Sequence, residues 1–389
     1  MKALAQAPAP HARDMNAPSI CFVGLENLPA LAPEFRQHVM GGAQLQQTLL
    51  AKGLARRGWR VSMVVADYGQ PEGAQWEGVR TYRAYGFQAG LPVLRFLHPR
   101  WTSVWSAMRR ADAQLYYVSC AGMLIGEVAM YARHRGRRSI FRIAHDNDCQ
   151  PDKLLIPYWR DKWLYRYGLR RSDLILAQSA SQRWAMQRNY QRDSLVVPSL
   201  VEAVGSVLQL ATRDTDVLWI SNIRSFKRPD LALELARQNP SITVRLIGGT
   251  QPGEKQYYQQ IQREAAQVPN VLFDGQQPYE AVNERLAHTR VFINTSDSEG
   301  FPNTYLQAWA RGTPVVAFFD PDGVIAREGL GEIVHSVEEM GEAVRRLLTE
   351  PRLWSELSRR CQDYVASKHG ETALAAYADA LGALAAAAE

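Results

Sequence analysis

Short apolar runs alternate with longer amphipathic stretches along most of the chain, a pattern that predicts β-strands alternating with α-helices. The first run, Ser19–Gly24, has the length and composition of a buried strand, and a glycine loop at Met40–Gly42 follows it. Ala43–Arg57 then repeats leucines at the spacing of one helix face. Gly58 ends this stretch and Arg60–Ala66 forms the next apolar run, so these residues predict a β-α-β unit.

The alternation continues through residue 318. Further strands are predicted at Leu115–Val118, Ser139–Ala144, Leu174–Ala177, Leu195–Val197, Asp216–Ser221, Ile242–Gly248, Val271–Phe273, Val291–Asn294 and Thr313–Phe318. In the second half, helices are predicted at Pro229–Gln238, Tyr257–Gln267, Tyr279–His288 and Thr304–Arg311. Strict alternation predicts parallel sheets covered by helices on both faces. Ligands of such sheets bind at the carboxyl ends of the strands, so functional residues are expected in the loops that lead from strand to helix.

The length of 389 residues is too great for one ordinary core and predicts two α/β domains. The pattern restarts after Pro198–Asp214, which divides the chain into domains over residues 18–200 and 201–370. Two doubly wound domains in tandem predict a cleft between them. Residues 1–17 are rich in Ala and Pro and lack the apolar stretch of a signal peptide, so we expect a disordered tail.

Charge is distributed unevenly between the two halves. Residues 1–200 contain 27 Lys and Arg against 14 Asp and Glu, whereas the remainder contains 18 against 25. The basic first half predicts an anionic partner, and charge alone fits nucleic acid, anionic lipid or a phosphorylated substrate. No apolar run reaches the roughly 18 residues that a membrane span needs. The 4 cysteines lie far apart without CxxC spacing, which argues against a metal site or a disulfide framework and favours the cytoplasm.

The segment Asn294–Val316 (NTSDSEGFPNTYLQAWARGTPVV) is the richest in candidate site residues. A predicted strand ends at Asn294, and a helix begins near Asn303 after a polar loop. The backbone amides at a helix start carry partial positive charge and suit a phosphate or sugar hydroxyls. Glu299 can accept hydrogen bonds from hydroxyls, and Gln307 lies one turn beyond Asn303 on the same face. The alternative is an ordinary loop and helix of a Rossmann-like domain.

Three further loops carry candidate residues. Asn222–Pro229 (NIRSFKRP) follows a strand, and its Arg224 and Lys227 could neutralise a diphosphate, although a solvated basic turn is the alternative. Gly41 and Gly42 open a helix, where glycine lets the backbone approach a ligand, or they form only a turn. His145 follows the strand SIFRIA and could hydrogen-bond a sugar or an acceptor, or it serves only to cap a loop. Asp146 and Asp148 beside it lack a further ligand cluster, so no metal site is predicted.

These segments resemble glycosyltransferase family 4. The resemblance covers about residues 19–370 and is carried by Glu299, Gly300, Phe301 and the second polar position eight residues after Glu299. It implies the GT-B fold, in which an N-terminal acceptor-binding domain faces a C-terminal donor-binding domain across a cleft, with residues 371–389 a helix that returns to the N-terminal domain. It also implies a retaining reaction without a metal. Neither GxGxxG nor GxxxxGKS occurs, so dinucleotide oxidoreductases and P-loop NTPases lack support.

The resemblance assigns roles residue by residue. Glu299 is expected to bind the donor sugar, and Gln307 the ribose, although many members have Glu at the second position. Lys227 is expected to hold the donor phosphates, with Arg224 in place of a family Arg that aligns near Asn222. The catalytic set is Glu299, Lys227, His145 and Arg224. The donor-binding set is Gly41, Gly42, Asn222, Gly248, Gly275, Gly300, Phe301, Asn303, Thr304 and Gln307.

The sequence thus predicts transfer of a sugar from a nucleoside diphosphate sugar to a saccharide or lipid-linked saccharide acceptor. Bacterial surface polysaccharide or lipid-linked oligosaccharide synthesis is the expected setting, and nucleic acid is not an expected partner. A GT-B nucleotide-sugar epimerase and a non-catalytic nucleotide-sugar-binding scaffold are the alternatives. No cofactor beyond the donor substrate is expected.

Two segments suggest an anionic membrane surface as a further partner. Leu91–Arg110 and Trp159–Arg171 mix Trp, Tyr and Leu with Arg, a composition that suits the headgroup region of a bilayer. The basic first half would add attraction to anionic lipid, which predicts peripheral binding at the inner face of the plasma membrane. The alternative is that the apolar residues are core and the arginines a solvated face.

Overall fold

The computed structural model describes residues 17–387 except 37–40, 92–93, 203, 251–252 and 298. Residues 1–16 of the predicted tail, and Met40 of the predicted glycine loop, lie outside the described residues. The strands are β1 Ser19–Val23, β2 Arg60–Val65, β3 Gln75–Trp76, β4 Val79–Arg83, β5 Leu115–Ser119, β6 Arg138–Arg142, β7 Leu174–Ala177, β8 Leu195–Val196, β9 Thr215–Ile220, β10 Val244–Ile247, β11 Val271–Gly275, β12 Thr289–Asn294, β13 Val315–Ala317 and β14 Gly331–Ile333. The helices are α1 Leu28–Leu31, α2 Gly42–Arg56, α3 Thr102–Ala111, α4 Met123–His134, α5 Trp159–Arg171, α6 Ala180–Tyr190, α7 Pro229–Gln238, α8 Lys255–Ala265, α9 Tyr279–Ala287, α10 Asn303–Ala310, α11 Val324–Glu328, α12 Val337–Thr349, α13 Pro351–Lys368 and α14 Glu371–Ala386.

The strands form two sheets, one in each half of the chain. The first has the order β3-β4-β2-β1-β5-β6-β7-β8, and the second has the order β11-β10-β9-β12-β13-β14. Every neighbouring pair is parallel except β3 and β4, which form an antiparallel hairpin at the edge of the first sheet. The prediction of two doubly wound α/β domains is therefore confirmed. In each sheet the strand order reverses at one point, between β1 and β5 and between β9 and β12, where such folds bind ligands.

Each sheet has an apolar layer on both faces because side chains alternate along a strand. In β1, Ile20 and Phe22 belong to one core cluster, whereas Cys21 and Val23 belong to the cluster on the other face. The second sheet has the same construction, with helices α7 and α12 over one face and α10 and α13 over the other. Continuous apolar runs in the sequence are the consequence of this burial on both faces.

The chain crosses between the domains twice. After β8 it enters the second domain, and after α13 it returns, so that α14 packs on the first sheet through Ala373, Leu374, Tyr377 and Leu381. The two crossings contact each other, because the ring nitrogen Nδ1 of His369 lies 2.7 Å from the backbone oxygen of Ser199.

Candidate active site

A cleft of about 480 Å³ lies between the domains, and loops at the carboxyl ends of both sheets line it. This volume is within the range of ligand-binding pockets. The first domain contributes Gly41 and Gly42 from the start of α2 and His145 from the loop after β6. The second domain contributes the loops after β9, β10, β11 and β12 and the first turns of α9 and α10. Most of the sequence-predicted site residues are thus brought together: Gly41, Gly42, His145, Asn222, Arg224, Lys227, Gly248, Glu299, Gly300, Phe301, Asn303, Thr304 and Gln307.

Lys227 and Glu299 form an ion pair inside this cleft. The Lys227 Nζ lies 2.5 Å from Glu299 Oε1, and the two side chains are only 14% and 12% exposed. Glu299 Oε1 also accepts a hydrogen bond of 2.8 Å from the Ser296 hydroxyl. An enclosed carboxylate that keeps one oxygen, Oε2, outside these contacts can accept hydrogen bonds from a ligand without first losing its charge partner.

Thr295 holds the basic and acidic loops together. Its hydroxyl donates to the backbone oxygens of Lys227 and Arg228, at 2.9 and 2.7 Å, and it accepts from the Trp219 indole nitrogen at 2.9 Å. The amide of Asp297 also donates to the oxygen of Phe226 at 2.9 Å. Rigid support of this kind keeps the positions of charged groups fixed relative to a bound ligand.

Glycine is required where the loops after β9 and β10 meet. A Cβ on Gly248 would lie 1.9 Å from the backbone oxygen of Ser221, a contact that no other residue can make. The Gly248 amide donates to the oxygen of Gly275 at 2.9 Å. Gly275, which the sequence assigns to the donor site, ends β11 with φ 66° and accepts this bond, and it is not among the residues that line the cleft. Its neighbours Gln276 and Gln277 line the cleft in its place.

The first residue of α10 connects the domains. The Asn303 side chain donates to the oxygen of Gly42 at 2.9 Å and accepts from the Gln46 amide at 3.0 Å. The second N–H of the Asn303 side chain and the backbone amides of Asn303 and Thr304 therefore remain for the predicted anion contact. Gly300 packs against the first domain, since a Cβ on it would lie 3.0 Å from the oxygen of Ala144.

Gln307 is a buried residue of α10 and lines the second-domain side of the cleft. Its amide nitrogen donates to the side-chain oxygen of Asn283 at 3.0 Å, and Gln307 also hydrogen-bonds the Tyr279 hydroxyl. The carbonyl oxygen Oε1 is the atom left for a hydroxyl donor. Tyr279 lies beside Gln307 in the cleft, and burial raises the pKa of its phenol to about 12, so it stays protonated.

His145 lines the cleft, and its two ring nitrogens have different surroundings. Its Nδ1 accepts from the amide of Asn147 at 3.1 Å, so in the neutral ring the proton is on Nε2. Nε2 is buried and bonds to none of the described residues. Asp148 fixes the backbone of this turn by accepting from the amides of Ala144 and His145. Burial lowers the pKa of His145, and the nearby charges of Lys227 and Arg224 add to this effect against the opposing Glu299.

The cleft also contains residues that sequence reasoning missed. Arg142, the last residue of β6, lines the first-domain side, and Tyr279 lines the second. A charged residue inside the apolar run SIFRIA was the available signal for Arg142. Tyr279 carried no signal beyond its place at a helix start. Within the part of the chain that the structure describes, no three His, Cys, Asp or Glu side chains group in a way that could hold a metal ion.

Two facing Rossmann-like domains with a ligand-sized cleft define the GT-B class of glycosyltransferases. Solved structures of this class match nearly the whole chain. Sucrose-phosphate synthase from Thermosynechococcus elongatus has a TM-score of 0.74 at 18% identity and covers 96% of this chain and 100% of its own. Anabaena HepE in complex with UDP and glucose has a TM-score of 0.68 at 15% identity, with coverages of 94% and 99%. WaaG, a glycosyltransferase involved in lipopolysaccharide biosynthesis, has a TM-score of 0.67 at 14% identity, with coverages of 93% and 99%.

The family follows from the sequence matches. The model for Glycosyltransferase Family 4 matches residues 40–202, and the model for Glycosyl transferases group 1 matches residues 206–368. The chain therefore belongs to the family 4 type of glycosyltransferases, and it is a transferase with the GT-B fold. No curated protein sequence matches it.

Proposed function

We propose that this protein is a retaining glycosyltransferase that moves a sugar from a nucleoside diphosphate sugar to an acceptor hydroxyl. The observation that carries the proposal is the enclosed pair of Lys227 and Glu299 in the cleft. One member suits a diphosphate and the other suits sugar hydroxyls, which are the two ends of such a donor. The complexes of HepE with UDP-glucose and of the pneumococcal transferase GtfA with UDP and GlcNAc support the same donor class.

In the proposed complex, the donor diphosphate contacts Lys227, Arg224 and the first amides of α10. Lys227 then shifts from Glu299 toward the phosphate, and Glu299 accepts hydrogen bonds from the donor sugar. The nucleoside lies toward Gln307, and Gly248 allows close approach of the backbone. Charge that develops on the leaving diphosphate is stabilised by groups whose positions the loop contacts already fix.

The transfer itself needs no nucleophile from the protein. The acceptor oxygen attacks the anomeric carbon on the face from which the diphosphate leaves. The carbon–phosphate oxygen bond breaks as the new glycosidic bond forms, and the acceptor proton passes to a phosphate oxygen. His145 Nε2–H donates a hydrogen bond to the sugar or the acceptor, which a neutral ring can do at neutral pH.

We place the reaction in surface polysaccharide or lipid-linked oligosaccharide synthesis at the cytoplasmic face of the membrane. The observation in favour is an aromatic surface on the first domain, which we define as Leu94, Leu97, Leu155, Tyr158, Trp159 and Trp163, all exposed. The two chain segments that carry this surface are in contact, because the guanidinium of Arg160 lies 3.6 Å from the centre of the Phe96 ring. No helix in the described ranges is long and apolar enough to cross a membrane.

The test is a panel of nucleoside diphosphate sugars. A ligand at a hundred times its Kd adds about 2.7 kcal/mol of stability, so the donor raises the unfolding temperature. The stabilising donor is then incubated with saccharide and lipid-linked acceptors, and NMR of the product gives the anomeric configuration. Retention supports the proposal, and inversion overturns its mechanism. Transfer should persist in EDTA, and a complete loss that Mg²⁺ or Mn²⁺ restores would contradict the metal-free mechanism.

The same panel separates the two alternatives. A nucleotide-sugar epimerase converts the donor into its epimer without any acceptor, which NMR detects directly. A non-catalytic scaffold is stabilised by the donor but forms neither product nor free nucleoside diphosphate.

A further inference from the structure

Arg142 is a buried charged side chain in the wall of the cleft. It ends β6, is 2% exposed, and lines the cleft on the side of the first domain. Its neighbours along the same wall are Cys120, Ala144, His145 and Gln178, which follow the carboxyl ends of β5, β6 and β7. The wall thus faces the donor-binding loops from across the cleft.

The contacts of Arg142 leave its charge uncompensated. Its Nε donates to the Tyr377 hydroxyl at 2.9 Å, and its Nη2 donates to the Ser199 hydroxyl at 2.8 Å. Both partners are neutral. No carboxylate of a described residue lies within ion-pair distance of the guanidinium. Among the described residues, the Arg142 side chain donates only to Tyr377 and Ser199, so Nη1 has no acceptor there.

Arg213 shows what a purely structural buried arginine is like in this protein. It is 1% exposed, and its three side-chain nitrogens all donate to oxygens, among them those of Leu208, Thr289 and Arg311. Its guanidinium also lies 4.6 Å from the centre of the Trp354 ring. Arg213 lies away from the cleft, whereas Arg142 lines the cleft and has one nitrogen without an acceptor among the described residues.

Burying a cation without a counter-charge costs several kcal/mol, so buried charges are normally paired. Arginine stays protonated in proteins and cannot relieve the cost by losing its proton. A ligand that brings a negative charge to Nη1 would supply the missing partner. Phosphates and carboxylates have the planar or forked oxygen geometry that a guanidinium binds best.

We propose that Arg142 binds an anionic group, a phosphate or a carboxylate, carried by the acceptor. The inference rests on the proposed glycosyl transfer. In that reaction the ligand at Arg142 is the acceptor, because Arg142 lies on the wall opposite the donor loops. It narrows the acceptor class to molecules with a negative charge close to the hydroxyl that receives the sugar.

The experiment measures anion binding by calorimetry in a background that lacks the donor-phosphate cations, Lys227→Ala with Arg224→Ala. Inorganic phosphate and acetate are titrated separately, which distinguishes a phosphate site from a carboxylate site. Arg142→Gln is then added to this background, with Arg142→Lys as a second variant that keeps the charge. Tyr377→Phe is the matched control, because it removes a contact of Arg142 and leaves the guanidinium.

We expect one of the two anions to bind and Arg142→Gln to weaken it about tenfold, which corresponds to about 1.4 kcal/mol. Arg142→Lys should retain part of the binding, and Tyr377→Phe most of it. The proposal is overturned if neither anion binds, if Arg142→Gln binds as well as its background, or if Tyr377→Phe loses as much. Thermal unfolding of each variant checks that it is folded. Failure of the proposed transfer appears separately, as an absence of product from every donor with the unaltered protein.

Discussion

Lys227 and Glu299 are so nearly enclosed that each depends on the other for its charge partner. Removing one leaves the other buried and unpaired, which usually costs more than the pair itself contributes. In the proposed complex, the diphosphate replaces Glu299 as the charge partner of Lys227, and sugar hydroxyls donate hydrogen bonds to the Glu299 carboxylate. The pair can then separate without leaving either group without a polar partner.

Substitution of either member should remove most transfer activity. Glu299→Ala, Glu299→Gln and Lys227→Ala are each expected to raise the activation barrier by about 2–4 kcal/mol, the range found for other preorganised charge contacts. Rates of product formation and thermal unfolding give the measurement. Arg290→Ala is the matched control, because Arg290 pairs with Asp216 at 2.6 Å at the opposite end of the same sheet. Near wild-type turnover in all three variants would show that the site is elsewhere.

Gln307 is expected to affect donor affinity more than rate. Its oxygen makes an uncharged hydrogen bond with the ribose in the proposed complex, worth about 0.5–1.5 kcal/mol. Gln307→Ala should thus raise the donor KM roughly two- to tenfold, while Gln307→Glu retains activity. Asn283→Ala, which removes the acceptor for the Gln307 amide, should give a smaller increase. An Ala variant with an unchanged KM would mean that Gln307 does not touch the donor.

At the scale of elements, the sequence predicted most strands of both sheets and left several helices without a prediction. Among these helices, α3 and α12 have clear amphipathic patterns, so weak periodicity does not explain the omission. The edge hairpin of β3 and β4 is a further omission. Val79 and Thr81 of β4 are buried and alternate with Arg80 and Tyr82, which is a strand pattern, but this run is short and β3 has only two residues. Its turn at Glu77 and Gly78 has positive φ at both residues, which suits a tight hairpin. The strand β14 was also missed, since it contains three residues and begins with glycine.

The candidate site was predictable where one loop carries several functional residues, as in the segment from Glu299 to Gln307. Contacts between distant loops were not predictable. Asn303 bonds Gly42, which lies 261 positions earlier, and no periodicity reports such a contact. Gly275 does not line the cleft, which the sequence could not show, because a glycine after a strand serves equally well to line a cleft or to support a neighbouring loop.

Asp322 links α6 of the first domain to the second domain. Its carboxylate accepts from the amides of Ala180 at 2.6 Å and Ser181 at 3.2 Å, the first two residues of that helix. Asp322→Ala should cost about 1 kcal/mol of stability and speed hydrogen exchange at these two amides. It should also raise the donor KM, because closure of the domains loses a contact.

Asp320→Ala is the matched control for this prediction. Asp320 caps α11 in the same way, through the amides of Ile325 and Ala326, but within its own domain. A similar loss of stability is expected without faster exchange in α6. If both variants behave alike in α6, the contact made by Asp322 does not hold the domains together.

At the scale of the whole molecule, the two segments that cross between the domains contact each other and also contact the loop that carries Glu299. His369 bonds the first crossing through Ser199, and its ring lies 5.5 Å from that of Phe301, which lines the cleft beside Glu299. Since a backbone oxygen can only accept, Nδ1 of His369 carries the proton and Nε2 is left buried without a partner among the described residues. A proton on Nε2 would therefore place an unpaired positive charge inside the protein.

His369 should make the stability of the protein sensitive to acid. Burial lowers its pKa from 6.5 to about 4, so below pH 6.5 the unfolded chain takes up a proton that the folded protein does not. The free energy of unfolding then falls with decreasing pH until about pH 4, by about 3 kcal/mol in total. His369→Asn keeps a donor to Ser199 and should flatten this part of the curve. Denaturant unfolding at several pH values measures it, with the exposed His335→Asn as control. Curves that coincide for His369→Asn and the unaltered protein would contradict the assignment.

The aromatic surface predicts how the molecule meets its acceptor. Trp159 is 82% exposed and Trp163 is 56% exposed, in a domain with a large excess of basic residues. Amphipathic rings beside arginines suit the headgroup region of a bilayer, and the basic charge adds attraction to anionic lipid. In sedimentation with lipid vesicles, binding should rise with the anionic lipid content and fall with salt, because salt screens the attraction. Trp159→Ala with Trp163→Ala should weaken binding, whereas Leu272→Ala, an exposed apolar residue of the second domain, should not. An absence of binding at every lipid composition and salt concentration would favour an acceptor in solution and remove the reason for placing the reaction at a membrane.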